Sequence, residues 1–235
     1  MIDCDVQLTL FSDFLERDGN GYVALPSGGK MTRRRFLQLG LVFGFHGGID
    51  GIHNIVLQAS NDLEIFGFLT DTTLAALDAQ DSFDSTMIYC ILHEAIYCQG
   101  KASNWSADRI RHEYPEFDLN RASERVNFTG EMVYPWMLHD YAQLNKVKEV
   151  GLRLAEIEDW PALYDEEQLA KNEVPVYAAS YIQDMYVDQD LAMETARKVK
   201  NCKVFTTNVM FHNALGSKME EVAQQLFNLR NDVFD

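Results

Sequence analysis

NEVPVYAASYIQDMYVDQDLAMETARKVKNCKVFTTNVMFHNAL, residues 172–215, is the stretch that decides the fold. Residues 174–182 are apolar and rich in β-branched and aromatic side chains, which suits a strand buried on both faces. Asp184 follows directly. Over residues 190–199, Leu191, Thr195 and Lys198 share one helical side, and Ala192, Ala196 and Val199 another. Residues 203–207 form a second strand, and His212 comes soon after it. Strand, helix, strand predicts a parallel pair, because parallel strands need a crossover connection. Ligands gather at the carboxyl ends of such strands. Asp184 and His212 are 28 positions apart, room for one helix and one strand, so their side chains are expected to come within hydrogen-bonding reach. On these residues alone a blander reading stands beside this one. Asp184 is then a turn residue, and His212 a packed or solvated side chain.

The chain has 235 residues, of which 47% are apolar and 11% aromatic, enough for one large core or two small ones. A net charge of -16, from 20 basic and 36 acidic residues, argues against nucleic acid as a partner and favours cationic ligands. The basic run Thr32-Arg33-Arg34-Arg35 is too short for a nucleic-acid patch. It is assigned to the polar side of a helix over residues 33–43, capped by Thr32, with Phe36, Leu37 and Leu41 buried. The four cysteines, Cys4, Cys90, Cys98 and Cys202, form no CxxC pair and read as free thiols of a reducing compartment. No apolar run approaches the roughly 18 residues of a membrane span. The acidic start lacks the basic region of a signal peptide. The expected location is therefore the cytoplasm, with no membrane partner.

Residues 86–97 predict a helix that is apolar nearly all round and hence buried. His93 and Glu94 interrupt it. A Glu inside a buried helix needs a partner or a function; the alternative is an exposed strip where Glu94 pairs with an Arg. Adjacent residues project to different sides of a helix, which argues against joint metal ligation by His93 and Glu94.

Five runs carry a family resemblance: LPSGGKMTRRRFLQLG (25–40), ILHEAIYCQG (91–100), NWSADRIR (104–111), GEMVYPWM (130–137) and NEVPVYAASYIQDMYV (172–187). In combination they resemble the C-terminal part of the proline iminopeptidases, serine peptidases of the α/β-hydrolase fold. The resemblance runs from about Leu25 to the end. It implies an α/β fold: a helical lid over residues 1–160, then a strand-helix-strand-helix unit of a parallel sheet over residues 161–235. It implies a serine aminopeptidase that removes N-terminal proline from peptides, without cofactor or metal. The segment YxxDMYV carries the family's catalytic Asp, here Asp184, and the catalytic His after the last strand falls on His212. Lid carboxylates that hold the substrate's free amino group fall on Glu94 and Glu131.

One departure is large. The family's nucleophile sits in a Gly-x-Ser-x-Gly elbow, and no serine here has that setting; Ser27, in Leu25-Pro26-Ser27-Gly28-Gly29, comes nearest. The chain is therefore expected to lack the nucleophile half, to be inactive alone, and to expose a strand edge that promotes aggregation. Phe45-His46-Gly47-Gly48 resembles an oxyanion loop but follows a helix. It is read as a C-cap and turn within the lid, with glycines at positive φ. The rival reading is a non-catalytic helical binding module that reuses the lid.

Overall fold

The computed structural model describes Phe11 and residues 13–15, 20–80, 82–119 and 126–231. Cys4 lies outside them. The chain divides into two compact units, Met1–Leu41 with Asp50–Pro161, and Val42–Ile49 with Ala162–Asp235. The short stretch Val42–Ile49 thus groups with the C-terminal segment rather than with the residues on either side of it.

The first unit contains an antiparallel hairpin, β1 (Tyr22–Ala24) and β2 (Lys30–Thr32), with Tyr22 opposite Thr32. The turn closes through Leu25 N–H to Gly29 O at 2.9 Å, with Gly28 at φ 88. Three-residue strands carry too little alternation to be read from sequence, where this stretch looks like loop. Thr32 then caps α1 (Arg33–Leu37), its hydroxyl accepting from Arg35 N–H. The helix tightens into a 3₁₀ turn, Gln38–Val42. Next come α2 (Gly48–Phe66), α3 (Asp71–Asp78), α4 (Met87–Leu92), α5 (Ser106–Arg111) and α6 (Lys148–Ala155).

The basic run does not lie on a polar face. Arg34 forms a bidentate pair with Asp140, Nε to Oδ2 and Nη2 to Oδ1, both at 2.8 Å. Arg35 is 3% exposed, donates to Asp140 O at 3.2 Å and lies 4.0 Å over the Tyr141 ring. Acceptors from a distant segment draw both guanidiniums inward, and a window of neighbouring residues does not reveal them. Around this network, Phe83, Cys90, Val133, Tyr134, Met137, Leu138 and Leu144 are buried together. Each large side chain there contributes on the order of 1.5–3 kcal/mol.

The continuous buried helix expected over residues 86–97 is also corrected. Helix α4 stops at Leu92 and the chain resumes as a 3₁₀ turn, Ala95–Tyr97. Cys90 and Ala95 are buried, whereas Ile88 is 71% and Tyr97 72% exposed. At the break, the Glu94 carboxylate accepts from the backbone N–H groups of Ser106 and Ala107.

In the second unit, β3 (Val176–Tyr181) pairs in parallel with β4 (Cys202–Thr207), Val176 opposite Cys202 and Tyr181 opposite Thr207. The crossover is α7 (Gln189–Lys198), capped by Asp188, which accepts from Leu191 N–H at 2.9 Å. The closing helix is α8 (Met219–Arg230). Alternation along the strands sends Ala179, Tyr181 and Phe205 to one face, where they pack with Met210, Ala214, Val222 and Leu226. Ser180 points to the other face and donates to Gln189 of α7 at 2.8 Å. Strand β3 is half-buried along its whole length rather than fully buried. A two-stranded sheet leaves an outer edge on each strand, and one helix does not cover a face completely.

Candidate active site

Asp184 and His212 occupy loops after β3 and β4, at the same end of the parallel pair. Ile182 N–H still bonds Thr207 O at 2.9 Å, so the ladder runs up to the turn. Asp184 N–H then bonds back to Tyr181 O at 3.1 Å. The Asp184 carboxylate stabilises its own turn, Oδ1 accepting from Tyr186 N–H at 2.8 Å and Val187 N–H at 3.1 Å. It also meets His212 Nδ1, at 3.0 Å from Oδ2 and 3.2 Å from Oδ1. The two side chains are within hydrogen-bonding reach, and Asp184 serves as a turn residue as well.

Burial differs across the pair in a useful way. The Asp184 side chain is 6% exposed and that of His212 37%. A carboxylate accepting at Nδ1 keeps the ring proton there and leaves Nε2 as a free acceptor. Phe45 lies parallel to the His212 ring, with centroids 6.1 Å apart and planes 6° apart, and Tyr186 touches it at 4.3 Å. Backbone ties add to this, with His212 N–H donating to Gly44 O at 3.2 Å. A Cβ on Gly44 would fall 2.4 Å from the Tyr186 ring, so the close approach requires glycine. Sequence reasoning missed Phe45, His46, Tyr186 and Asn213. The His-Gly-Gly run is the available signal, but neither its likeness to an oxyanion loop nor its turn points to His212.

Both serines of this unit donate their hydroxyls to groups other than His212. Ser180 donates to Gln189, and Ser217 donates to Asn213 O at 3.1 Å.

Glu94 and Glu131 belong to the first unit. Glu94 Oε2 accepts from Ser106 N–H and Oε1 from Ala107 N–H, both at 2.8 Å, so its carboxylate caps α5. Before that helix, Asn104 and Trp105 take left-handed backbone at φ 47 and 55, a conformation costly for an aromatic residue. The backbone of Glu131 bonds the ring of His93, whose pKa is lowered by burial against that bond and the nearby Glu94 charge. Tyr134 is also close to Glu94, and burial pushes its hydroxyl up to about 12, opposed by the Arg111 charge. The segments that carry Glu94 and Glu131 therefore meet at His93. Among the described residues, no group of three or more His, Cys, Asp or Glu side chains could hold a metal ion, and no helix is long and apolar enough to cross a membrane.

No family model matches the chain. Two curated proteins do. One is "Proline iminopeptidase aneH" of Aspergillus aculeatus, 44% identical over 209 residues, covering 89% of this chain and 46% of that protein. The other is "Proline iminopeptidase" of Aeromonas sobria, 37% identical over 210 residues, covering 89% of this chain and 48% of that protein. Over about nine-tenths of its length, the chain is similar in sequence to the proline iminopeptidases. It spans about half the length of the curated relatives it matches. The aligned portion includes most of both units, so the relationship does not rest on one motif.

Proposed function

We propose that this chain supplies the acid–base half of a prolyl aminopeptidase of the α/β-hydrolase type, acting on peptides with a free N-terminal proline. The observation that carries the reading is the Asp184–His212 pair. A buried carboxylate orients an imidazole whose second nitrogen is available, at the carboxyl end of parallel strands. His212 Nε2 takes the proton from a serine hydroxyl as that oxygen attacks the prolyl carbonyl, then returns it to the leaving amine. Asp184 holds the tautomer and stabilises the imidazolium.

The attacking serine is not supplied by these 235 residues, since none of their serines has the glycine-flanked setting of a nucleophile elbow. Glu94 and Glu131 are the candidates for gripping the substrate's ammonium group. Glu94 already accepts two backbone N–H bonds, but a carboxylate has room for about four acceptor contacts. The acidic surface is consistent with a cationic ligand.

The test has two arms. Residues 1–235 alone are assayed on a chromogenic prolyl amide, then again together with the unmatched remainder of the Aeromonas sobria protein. No turnover by the chain alone, and turnover by the mixture that His212→Ala abolishes, is the expected result. Serine-reagent-sensitive hydrolysis by the chain alone would show a nucleophile within it. A folded mixture that binds but never cleaves would favour the non-catalytic module.

A further inference from the structure

The segment around Phe45-His46-Gly47-Gly48 does form a turn, with Phe45 N–H on Val42 O at 3.0 Å and Gly47 at φ 75. Its side chains do something the turn does not require. His46 bonds the residues on both sides of His212. Its Nε2 accepts from Phe211 N–H at 3.2 Å, and its own backbone N–H donates to Asn213 Oδ1 at 2.9 Å. Between them, His212 N–H is held by Gly44 O at 3.2 Å. Three consecutive residues of the histidine loop are thus each tied to this strap. Ring contacts follow the same pairing, His46 against Phe211 at 4.7 Å and Phe45 against His212.

We propose that His46 is a positioning residue for His212: it clamps residues 211 and 213 so that the ring between them stays aligned with Asp184. The Phe211 bond needs an unprotonated Nε2, so His46 carries its ring proton on Nδ1 in this arrangement. Asp184 alone fixes one end of the His212 ring. Its carboxylate cannot fix the backbone from which the ring hangs, and the loop is exposed at Val209 (68%) and Phe211 (36%). The strap supplies that constraint from a segment far away in the chain. Its effect on turnover rests on the general-base reading of His212; its effect on ring order does not.

The experiment uses the 235-residue chain labelled with nitrogen-15 histidine. His212 should give a downfield, slowly exchanging Nδ1–H signal, assigned by its loss in His212→Ala. His46→Phe keeps a ring against Phe211 but removes the acceptor, and should broaden or abolish that signal. His46→Gln places an amide oxygen near the position of Nε2 and should retain it. Asn213→Ala removes the second tie without altering the buried cluster. It should act in the same direction, which keeps the test decisive where His46→Phe fails to fold. In the reconstituted enzyme, His46→Phe should lower kcat about tenfold or more with KM within roughly twofold, and His46→Gln should rescue most of it. A wild-type chain without the signal, or one whose signal survives both His46→Phe and Asn213→Ala, overturns the proposal. Absence of turnover in the wild-type mixture would sink the peptidase reading while the spectra still decide the strap.

Discussion

At the scale of single residues, Asp184 is more heavily committed than any other polar group near the strand ends. Its Oδ1 accepts from two backbone N–H groups while the carboxylate faces His212. Asp184→Asn keeps the size but puts an amide in that place. One side of the amide now donates, and the His212 ring turns its proton to Nε2, the wrong tautomer for the general base proposed above. In the reconstituted enzyme kcat should fall by about 10⁴, with folding intact by circular dichroism. A second carboxylate makes a stability prediction. Burial alone would raise the pKa of Asp62, but hydrogen bonds from the Thr73 and Thr70 hydroxyls and from Thr70 N–H hold it below the ordinary Asp range. A carboxyl lowered on folding contributes stability above its unfolded pKa of about 3.9, and that contribution is lost as pH falls through the folded value. Between pH 5 and 3, roughly that window, wild type should lose more stability in urea titrations than Asp62→Asn, whose curve lacks this component. Asp184 and His212 were legible because each follows a strand in a local pattern. His46 was not, because its bonds join residues 165 and 167 positions apart, and no local window contains both ends.

At the scale of elements, the sequence was most informative where one periodicity ran uninterrupted. The crossover helix and both parallel strands were expected within one or two residues of their bounds, since a continuous apolar run marks the first strand and helical spacing persists through the helix. Prediction was poorest where long-range polar contacts override local pattern. Arg34 and Arg35 look like a solvated face until Asp140 is seen opposite them, more than a hundred residues later. Glu94 likewise ends a helix that composition would have continued. Asp140 therefore deserves a direct measurement. It is 4% exposed and also accepts from the Thr32 hydroxyl at 2.8 Å, joining β2 and α1 to the turn Met137–Asp140. Asp140→Ala leaves the partly buried Arg34 guanidinium without its bidentate partner. Removing one member of a buried pair costs about 3–5 kcal/mol, since the remaining charge stays desolvated. The expected cost is about 3 kcal/mol, at the low end because Arg34 retains some access to water. Chemical denaturation of the variant checks it. An unchanged midpoint would mean that the pair adds nothing to the first unit.

At the scale of the whole molecule, two opposing tendencies set its behaviour in solution. The second unit exposes large apolar side chains: Val174 at 68%, Ile182 at 51%, Leu191 at 64%, Val209 at 68%, Met219 at 60% and Phe227 at 53%. Strands β3 and β4 also each keep an outer edge among the described residues. Apolar side chains beside an open strand edge promote association, through both hydrophobic burial and backbone pairing. Against this stands the net charge of -16, which makes copies repel one another. The repulsion is screened over about 10 Å at 0.1 M salt, whereas hydrophobic burial is not weakened by salt. The balance should therefore shift with ionic strength. Sedimentation velocity on residues 1–235 should show mass rising with concentration, and rising further as salt increases from about 0.02 to 0.5 M. The double variant Ile182→Lys, Phe227→Lys adds cations to the associating surface while reducing the net negative charge. A purely electrostatic balance would make this variant associate more readily than wild type. Loss of apolar surface should make it associate less, and the latter is expected. A chain that stays monomeric across the whole salt range would show that these exposed side chains do not form a sticky surface. The strand edge would then be protected within the chain itself.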